Sequence, residues 1–375
     1  VANPDYPEAT IVTSRPVMLL KGQRYTTDSL RITARSRTDS GQRIVADLDM
    51  MYAEITGHMP LTKISDAIQA HIDRHYHPLA DSLMAKAQAR SGRDTLLRAR
   101  TADTSVLPTT YDLQLMARIT DGPLLRAFAP DLSRLDTVRI DAAIDQRTLA
   151  LQLTAPHIVY GATNINGLAA EVSGTDSALT YELALKNLKQ GNLELLRTTL
   201  QGDFSPEGIT ANLQVEDSAD KNRFALAAVL QQQDSGQVLS LRPGLLLDYK
   251  PWQVAEPNRI VFGAQGFYVD GFAISSGNES IRVQSETPQF NAPLSVEIDN
   301  FILGDITRIF SNPDTLLADG VLTAKIEVRQ FQPEPMLTAT ADIRDLSVYG
   351  TTMGNLSIRA ENKNANTLFA DLRIE

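Results

Sequence analysis

Four of the five histidines fall between His58 and His77, in a stretch whose apolar residues recur at helical spacing. His71 and His75 are four residues apart, so on a helix both imidazoles project from one face and can reach one metal ion. In the helical zinc-protease motif a glutamate directly follows the first histidine, and here that position is Ile72. We therefore interpret the histidines as part of a solvated polar helix face and predict no metal site.

The sequence lacks the other patterns on which catalysis or phosphate binding usually depends. It contains no Gly-x-Ser-x-Gly nucleophile elbow, no Gly-Lys-Ser/Thr phosphate loop and no Gly-x-Gly-x-x-Gly after a strand. Residues Asp217–Asn222 resemble a calcium loop but lack its central glycine and distal glutamate, so a hairpin turn is expected there. Without cysteine, thiol catalysis and disulfides are excluded. We predict no catalytic residue, no cofactor and no enzyme activity.

Charge and composition narrow the class of protein further. The 375 residues include 45 acidic and 35 basic side chains, a net charge of -10, which argues against binding to nucleic-acid phosphates. Hydrophobic residues make up 43% of the chain, as in folded proteins, yet no apolar run approaches the roughly 18 residues of a membrane-spanning helix. Because the chain begins at Val1 and ends in a strand-like pattern at Glu375, we expect it to be a piece of a longer protein.

Alternation of apolar and polar residues is the dominant signal along the chain. A spacing of two puts alternate side chains on one face of a β-sheet. Clusters of Gly, Asn, Asp and Ser separate the runs with almost no helical spacer, and such short connections favour antiparallel neighbours. The clearest runs are Ile44–Tyr52, Tyr111–Ile119, Val138–Ile144, Leu149–Leu153, Ile209–Val215, Phe224–Leu230 and Leu337–Ile343. The sequence therefore predicts a long antiparallel meander.

The predicted sheet is too long to leave its apolar face uncovered. Roughly 20 strands at about 4.8 Å spacing would extend on the order of 90–100 Å, and open twisted sheets rarely exceed about 10 strands without curling, splitting or being covered. A second sheet, closure into a barrel, helices or a bound ligand would cover the face. We predict a mostly β fold, in which a long antiparallel meandering sheet curls into an elongated, taco-like trough with an apolar interior.

Helices are too few to cover such a sheet. One amphipathic helix is predicted at about residues 61–88, and two short helical inserts are predicted near 123–128 and 305–310. Residues 1–100 are therefore predicted to hold strands plus the amphipathic helix, and residues 101–375 to form a continuous antiparallel β-groove. We interpret the first helix as a cap or plug on the sheet, with a partner-docking or gating helix as the alternative.

Around Trp252 the sequence becomes more distinctive. A tryptophan strand, an apolar strand and a short strand on a polar turn follow one another, and later a glycine, a strand, a proline and a Leu-x-Val-x-Gly turn recur. The segments are Leu245–Val254, Asn258–Phe262, Phe267–Val283, Val296–Leu303, Gly320–Ile326, Pro335, Ala341–Gly350 and Gly354–Ile358. Over about residues 240–375 this pattern resembles the TamB and AsmA-like family, and before residue 240 the likeness is only general.

The resemblance implies an internal fragment of a bacterial envelope-spanning, bridge-like lipid transfer protein. Members of that family are long curled β-sheets whose apolar groove shields phospholipid acyl chains during transport between the inner and the outer membrane. It further implies a periplasmic location and phospholipids, rather than nucleic acid, as partners. An inner-membrane anchor and contact with an outer-membrane barrel protein would belong to regions of the family that this chain lacks.

The apolar residues at alternate positions of the predicted strands are the ones expected to line such a groove, although a plain structural core accounts for any one of them equally well. They are Leu149, Leu151, Leu153, Leu168, Val172, Leu183, Leu185, Leu213, Val215, Leu226, Leu230, Phe262, Val269, Val296, Ile298, Ile326, Val328, Ile343 and Ile358.

Two other functions stay open. One is an assembly scaffold or chaperone that adds strands of outer-membrane β-barrel proteins or autotransporters to its sheet edge. The other is a secreted carbohydrate- or surface-binding β-sandwich, which would need exposed aromatic side chains. Aromatic residues make up only 6% of the chain, with Trp252 the single tryptophan, so the composition disfavours the sandwich.

Overall fold

The computed structural model describes residues 5, 7–20, 22–37, 41–75, 107–233, 236–308, 316–331, 336–364 and 367–375. The described chain is 69% strand and 8% helix, so its helices are too few to cover the sheet. Twenty-five strands join one long antiparallel sheet that is not closed, and two more form a separate hairpin. The prediction of a mostly β fold built on one long antiparallel sheet is confirmed.

The strands follow one another closely along the chain. The first fourteen are β1 (Ala9–Ser14), β2 (Val17–Leu20), β3 (Gln23–Thr26), β4 (Ser29–Arg37), β5 (Gly41–Leu48), β6 (Met51–Gly57), β7 (Asp112–Ile119), β8 (Leu132–Leu135), β9 (Val138–Asp145), β10 (Leu149–Tyr160), β11 (Thr163–Gly174), β12 (Leu179–Gln190), β13 (Leu193–Ser205) and β14 (Gly208–Glu216). The others are β15 (Asn222–Gln233), β16 (Gly236–Leu241), β17 (Leu245–Leu247), β18 (Lys250–Val254), β19 (Arg259–Gly263), β20 (Gly266–Asp270), β21 (Phe272–Ser276), β22 (Glu279–Ser285), β23 (Leu294–Ile302), β24 (Ala318–Gln330), β25 (Met336–Val348), β26 (Thr351–Asn364) and β27 (Thr367–Ile374).

Three helices interrupt the strands of the described chain. They are α1 (Ile64–His75, preceded by a 3-10 turn at Leu61–Lys63), α2 (Pro123–Phe128) and α3 (Leu303–Thr307). The bounds of α2 are as predicted, whereas α3 begins two residues earlier than expected. Asp319 accepts a hydrogen bond from the Gly304 amide at 3.2 Å, which satisfies a free N–H in the first turn of α3.

Part of the helix prediction falls outside the described residues. The predicted continuation of the first helix from residue 76 to 88, and the domain boundary at residue 100, both lie within 76–106, which the structure does not describe. The same is true of 309–310, the end of the third predicted helical piece.

The described residues divide into two compact units. The first comprises Val1–Asn187 with Gln201–Pro206, and the second comprises Leu188–Leu200 with Glu207–Glu375. In the first unit the antiparallel pairing runs β1, β4, β5, β6, β7, β9, β10 and β11. Strand β8 pairs with the end of β10 that β9 leaves free.

In the second unit, long strands give way to short strands placed end to end. Strand β15 pairs with β16 along Ala228–Gln233 and with β17 at Ala225. One strip then continues through β19 and β20, and the other through β18 and β21, before β22. From β22 the ladder runs antiparallel through β23, β24, β25, β26 and β27. We call the boundary between the two strips the seam.

Buried polar side chains join main-chain groups at the seam. Asn258 is 7% exposed, and its Oδ1 accepts from the Leu241 amide at 2.6 Å while its Nδ2 donates to the Ala255 carbonyl at 2.9 Å. The buried Ser285 hydroxyl accepts from the Val269 amide at 3.0 Å. These bonds give partners to main-chain groups that the interrupted ladder leaves unpaired.

The strip of β16, β19 and β20 carries apolar side chains on both of its surfaces. On one surface Val238, Val261 and Tyr268 form a buried cluster, which is covered by Phe290 from the loop before β23. The loop comes so close that a Cβ atom at Gly263 would lie 2.4 Å from Phe290 Cζ. A side chain at position 263 would therefore displace the Phe290 ring, so close packing favours glycine here.

We expect Asn258→Ala to lower the free energy of unfolding by about 1–3 kcal/mol, because it removes the buried side chain that accepts from the Leu241 amide and donates to the Ala255 carbonyl. Urea denaturation measures this difference. The control is Asn278→Ala at an exposed asparagine, which should change stability little. Equal losses in the two variants would contradict the role given to Asn258.

Candidate functional site: the apolar sheet faces

An unshifted register in the first unit aligns apolar side chains from strand to strand. Residues on alternate positions share a face, so cross-strand partners build continuous rows. One row is Ile44, Ile55, Leu115, Ala142, Leu151 and Val172, and the next is Ala46, Ala53, Ala117, Ile140, Leu153 and Ala170. We call the surface formed by these rows the first apolar face.

The second unit carries an equivalent surface on β21 to β27. One row is Ile274, Ile281, Ile298, Ala324, Ala341, Ile358 and Leu372, and the next is Phe272, Val283, Val296, Ile326, Ala339, Ala360 and Ala370. We call this surface the second apolar face. Earlier in the same unit, Leu213 lies opposite Leu226 and Val215 opposite Phe224 on one face of β14 and β15.

The opposite surfaces of these strands are polar and charged. Arg282 on β22 contacts Glu297 and Asp299 on β23 at 3.8 and 3.2 Å. On β5 and β6, hydrogen bonds from Arg43 and then Tyr52 lower the pKa of the Glu54 carboxyl. Such exposed pairs contribute little to stability, but they keep this side of the sheet hydrated.

The structure places the predicted lining residues on shared faces. The five on β10 and β11 belong to the first apolar face, the six on β23 to β26 belong to the second, and Leu183 and Leu185 share one face of β12. Val215 and Val269 are buried, at 5% and 4% exposure, whereas Leu183 and Phe262 are exposed, at 38% and 42%. The other fifteen are half-buried. The faces are therefore neither a sealed core nor a fully open surface.

Helix α1 closes one end of the first apolar face. Ala67 on the helix packs with Met59, Tyr111, Leu113 and Ile144 in a buried cluster. Met59 and Ala67 have no exposed surface at all, and burial raises the pKa of the Tyr111 hydroxyl. In this arrangement α1 covers the end of the apolar face, which is the position predicted for a cap on the sheet.

The interpretation of the helix histidines as a solvated polar face is wrong. His71 and His75 are both buried, because their rings turn toward the ends of two hairpins. The Nε2 atom of His71 donates to the Asp145 carbonyl at 2.8 Å, and that of His75 donates to the Thr175 carbonyl at 2.8 Å. Neighbouring Arg74 contacts Asp176 at 2.9 Å. These contacts attach α1 to the turns after β9 and β11.

The other histidines of the described chain make separate polar contacts. His58 Nδ1 lies 2.6 Å from Asp112 Oδ1 in an exposed pair, and His157 Nε2 lies 3.0 Å from Asn164 Oδ1, whereas His77 lies outside the described residues. Within the described ranges, no group of three histidine, aspartate or glutamate side chains is placed to hold a metal ion.

The second unit carries a group of charged contacts that no sequence pattern predicted. Lys250 contacts Glu279 and, at 3.0 Å, Asp305 on α3. The buried Asp248 carboxylate accepts from both Arg223 and Arg308. The sequence did contain one indication of these contacts. Lys250 is two residues from Trp252, so alternation along the strand places both side chains on the same face.

Next to this network lies a buried apolar cluster around Trp252. Trp252 is 3% exposed and packs with Leu245, Ile274 and Phe301, its ring centroid 5.9 Å from that of Phe301. Lys250 Nζ sits 5.8 Å from the Trp252 ring centroid, within the range of a cation–π contact. The only tryptophan of the chain thus reports on the apolar face of the second unit.

A shallow depression of about 450 Å³ lies on the polar side of the first unit. Glu54, Gln114, Asp141, Gln152 and Glu171 contribute to its lining. Glu54 is already engaged by Arg43 and Tyr52, and the depression is open to solvent. It shows no convergent arrangement of nucleophile, base and oxyanion donors.

Comparison with known proteins returns no match: no family model, no curated protein and no solved structure is similar to the chain. Among the described residues, no helix combines the length and the apolar character needed to cross a membrane.

We expect Lys250→Met to lower the free energy of unfolding at pH 7 by about 3 kcal/mol, since it leaves two largely buried carboxylates without their cation. Burial lowers the pKa of Lys250, but the hydrogen bonds to Glu279 and Asp305 outweigh it and raise the pKa above 10.5. A raised lysine pKa stabilises the fold below pH 10.5, and this contribution is lost as pH rises through the folded-state value.

The difference between wild type and Lys250→Met in urea denaturation should therefore shrink above pH 10.5. Lys325→Met removes a lysine from an exposed pair with Glu327 and should have little effect at either pH. A pH-independent difference for Lys250→Met would contradict the charge-based account.

Proposed function

We propose that this chain is a groove module that shields the acyl chains of phospholipids, and that it acts without catalysis. The observation that carries the proposal is the pair of extended apolar faces whose lining residues are mostly half-buried. Contiguous, accessible apolar surface on a protein marks a binding site for something apolar. Within each face the apolar rows run continuously across several strands. A flexible hydrocarbon chain can lie along such an extended apolar surface.

The free energy of binding expected for these faces comes from contact with acyl chains and not from recognition of a lipid headgroup. Each methylene that leaves water gains about 0.8 kcal/mol, so an acyl chain laid on half-exposed leucine, isoleucine and alanine rows gains several kcal/mol. This attraction is non-directional and needs no polar contact at a fixed position. It accounts for a long apolar surface in a sequence that lacks catalytic motifs.

The resemblance of residues 240–375 to the TamB and AsmA-like family supports the same function. On that basis we place the chain in the periplasm, as part of a longer protein anchored in the inner membrane. Phospholipids moving between the inner and outer membranes are its proposed ligands. Contact with an outer-membrane barrel protein would belong to other regions of such a protein.

Charged substitutions on the apolar rows test the proposal directly. We expect Leu226→Asp and Ile298→Asp to reduce crosslinking to a photoactivatable phosphatidylethanolamine by about 5-fold or more, because a carboxylate on the face must be desolvated when a chain binds. The matched control is Ala227→Asp, which puts the same charge on the opposite face of β15. Circular dichroism verifies that the strands remain. Unchanged crosslinking in both apolar-face variants would refute the proposal.

Trp252 provides an independent readout. Binding of phosphatidylcholine with brominated acyl chains should quench the fluorescence of this single tryptophan, because bromine quenches indole at close range. The same lipid without bromine should not quench. In the double variant Trp252→Phe/Gln253→Trp the indole moves to the opposite, exposed face of β18 and should not be quenched. Equal quenching of the two proteins would mean that chains do not bind on the apolar face.

A further inference from the structure

Large apolar side chains are exposed at one end of the first unit. Strands β2 and β3 form a hairpin that follows directly on the last pair of the β1–β4 ladder, Ser14 with Ser29. On this hairpin Val17 is 47% exposed and Leu19 is 74% exposed. Helix α2 lies against β3, and its last residue, Phe128, is 60% exposed. Exposed apolar side chains grouped on neighbouring elements mark an interaction surface.

This end of the unit is opposite to the end that α1 covers. Helix α1 is attached to the turns after β9 and β11. Helix α2 instead follows the last residue of β7, Ile119, which pairs with the first residue of β9, Val138. The hairpin is held at the same end, because Asp49 in the turn after β5 accepts from the amides of Asp28 and Ser29. The exposed apolar side chains are therefore grouped away from α1.

Arginines without an acidic partner accompany these side chains. Arg118 on β7 lies directly opposite Arg139 on β9, and both are exposed. Neither makes an ion pair with any residue that the structure describes, and the same is true of the exposed Arg24, which lies opposite Leu19 on the hairpin. Like charges directly opposite each other on paired strands are destabilising. A bound anion would relieve that repulsion, and a phosphate group can accept from two guanidinium groups.

The charge balance at this end also favours an anionic partner. Asp121 accepts from Arg126 at 2.9 Å, and Asp136 contacts Arg134 at 3.0 Å, so these two pairs are neutralised internally. Among the charged side chains here that have no partner in the described ranges, the basic ones outnumber the acidic ones: Arg15, Arg24, Arg31, Arg118 and Arg139 against Asp28, Asp47 and Asp131. Positive charge is thus in local excess, although the whole chain carries a net charge of -10.

From these observations we propose that this end of the first unit docks on the surface of a membrane that contains anionic phospholipids. The apolar side chains enter the boundary between headgroups and acyl chains, and the arginines contact headgroup phosphates. Docking on a lipid surface is separate from shielding of single acyl chains, so it does not depend on the proposed function. We call the following residues the docking surface: Val17, Leu19, Phe128, Arg24, Arg118 and Arg139.

Co-sedimentation with lipid vesicles tests the apolar part of the docking surface. We expect this chain to bind vesicles of phosphatidylcholine with an equal amount of phosphatidylglycerol more tightly than vesicles of phosphatidylcholine alone. Leu19→Ser/Phe128→Ser should weaken binding to the mixed vesicles about 10-fold or more, because two large apolar side chains no longer leave water. The matched control is Tyr349→Ser/Met353→Ser, which removes exposed apolar side chains near the turn between β25 and β26 and should bind as the wild type does.

The arginine pair is tested in the same assay. Arg118→Gln/Arg139→Gln should weaken binding to the mixed vesicles about 10-fold or more and leave binding to phosphatidylcholine vesicles unchanged, since each arginine near an anionic surface adds electrostatic attraction. The control Arg242→Gln/Arg329→Gln removes the same charge at two exposed positions outside the docking surface. Equal weakening by the two double variants would overturn the proposal. A wild-type chain that binds neither kind of vesicle would also overturn it, in favour of a protein partner for this surface.

A relocated tryptophan shows where the chain touches the lipid. In Phe128→Trp/Trp252→Phe the emission should shift to shorter wavelength on the mixed vesicles, whereas in Tyr349→Trp/Trp252→Phe it should not. A shift in neither protein, or an equal shift in both, would contradict docking through α2. Leu226→Asp should bind vesicles as the wild type does, so a failure of acyl-chain binding and a failure of membrane docking give different results.

Discussion

The register of main-chain pairing is the constraint on which both apolar faces depend. Side chains alternate across a strand, so a slip of one residue between β9 and β10 would send Leu151 to the polar side and Gln152 to the apolar side. In the first unit the pairing of β5 to β11 shows no such slip along the rows. A long apolar surface thus forms because the pairing of each strand with the next keeps the same alternation of apolar and polar side chains.

In the second unit the register shifts at β-bulges, and the apolar face continues across them. The positions of these bulges could not be predicted from the sequence. Alternation from Val296 and Ile298 assigns Asn300 to the apolar face, but a bulge at Asn300, with φ of 49°, places Phe301 there instead. Asp345, with φ of 52°, precedes the buried Leu346 in the same way. Strand positions and faces were readable from period two, whereas bulges depend on neighbours distant in sequence.

The ends of the two units show a second limit of sequence reasoning. His71 and His75 form a polar pattern on a helix, yet their burial depends on hairpin carbonyls 74 and 100 residues away. The Lys250 network likewise unites residues from β18, β22 and α3. Local spacing identified the helix and the tryptophan strand, but it contains no information about which distant turn supplies the acceptor or the counter-ion.

The seam in the second unit has a mechanical consequence. Because β16 and β17 meet β15 end to end, each strip is a separate short ladder, and the side chain of Asn258 links the end of one strip to the end of the other. Each strip also has its own buried cluster, around Val261 in one and around Trp252 in the other. One strip can therefore lose its main-chain pairing while the other keeps its own, so this part of the sheet can open in two separate steps.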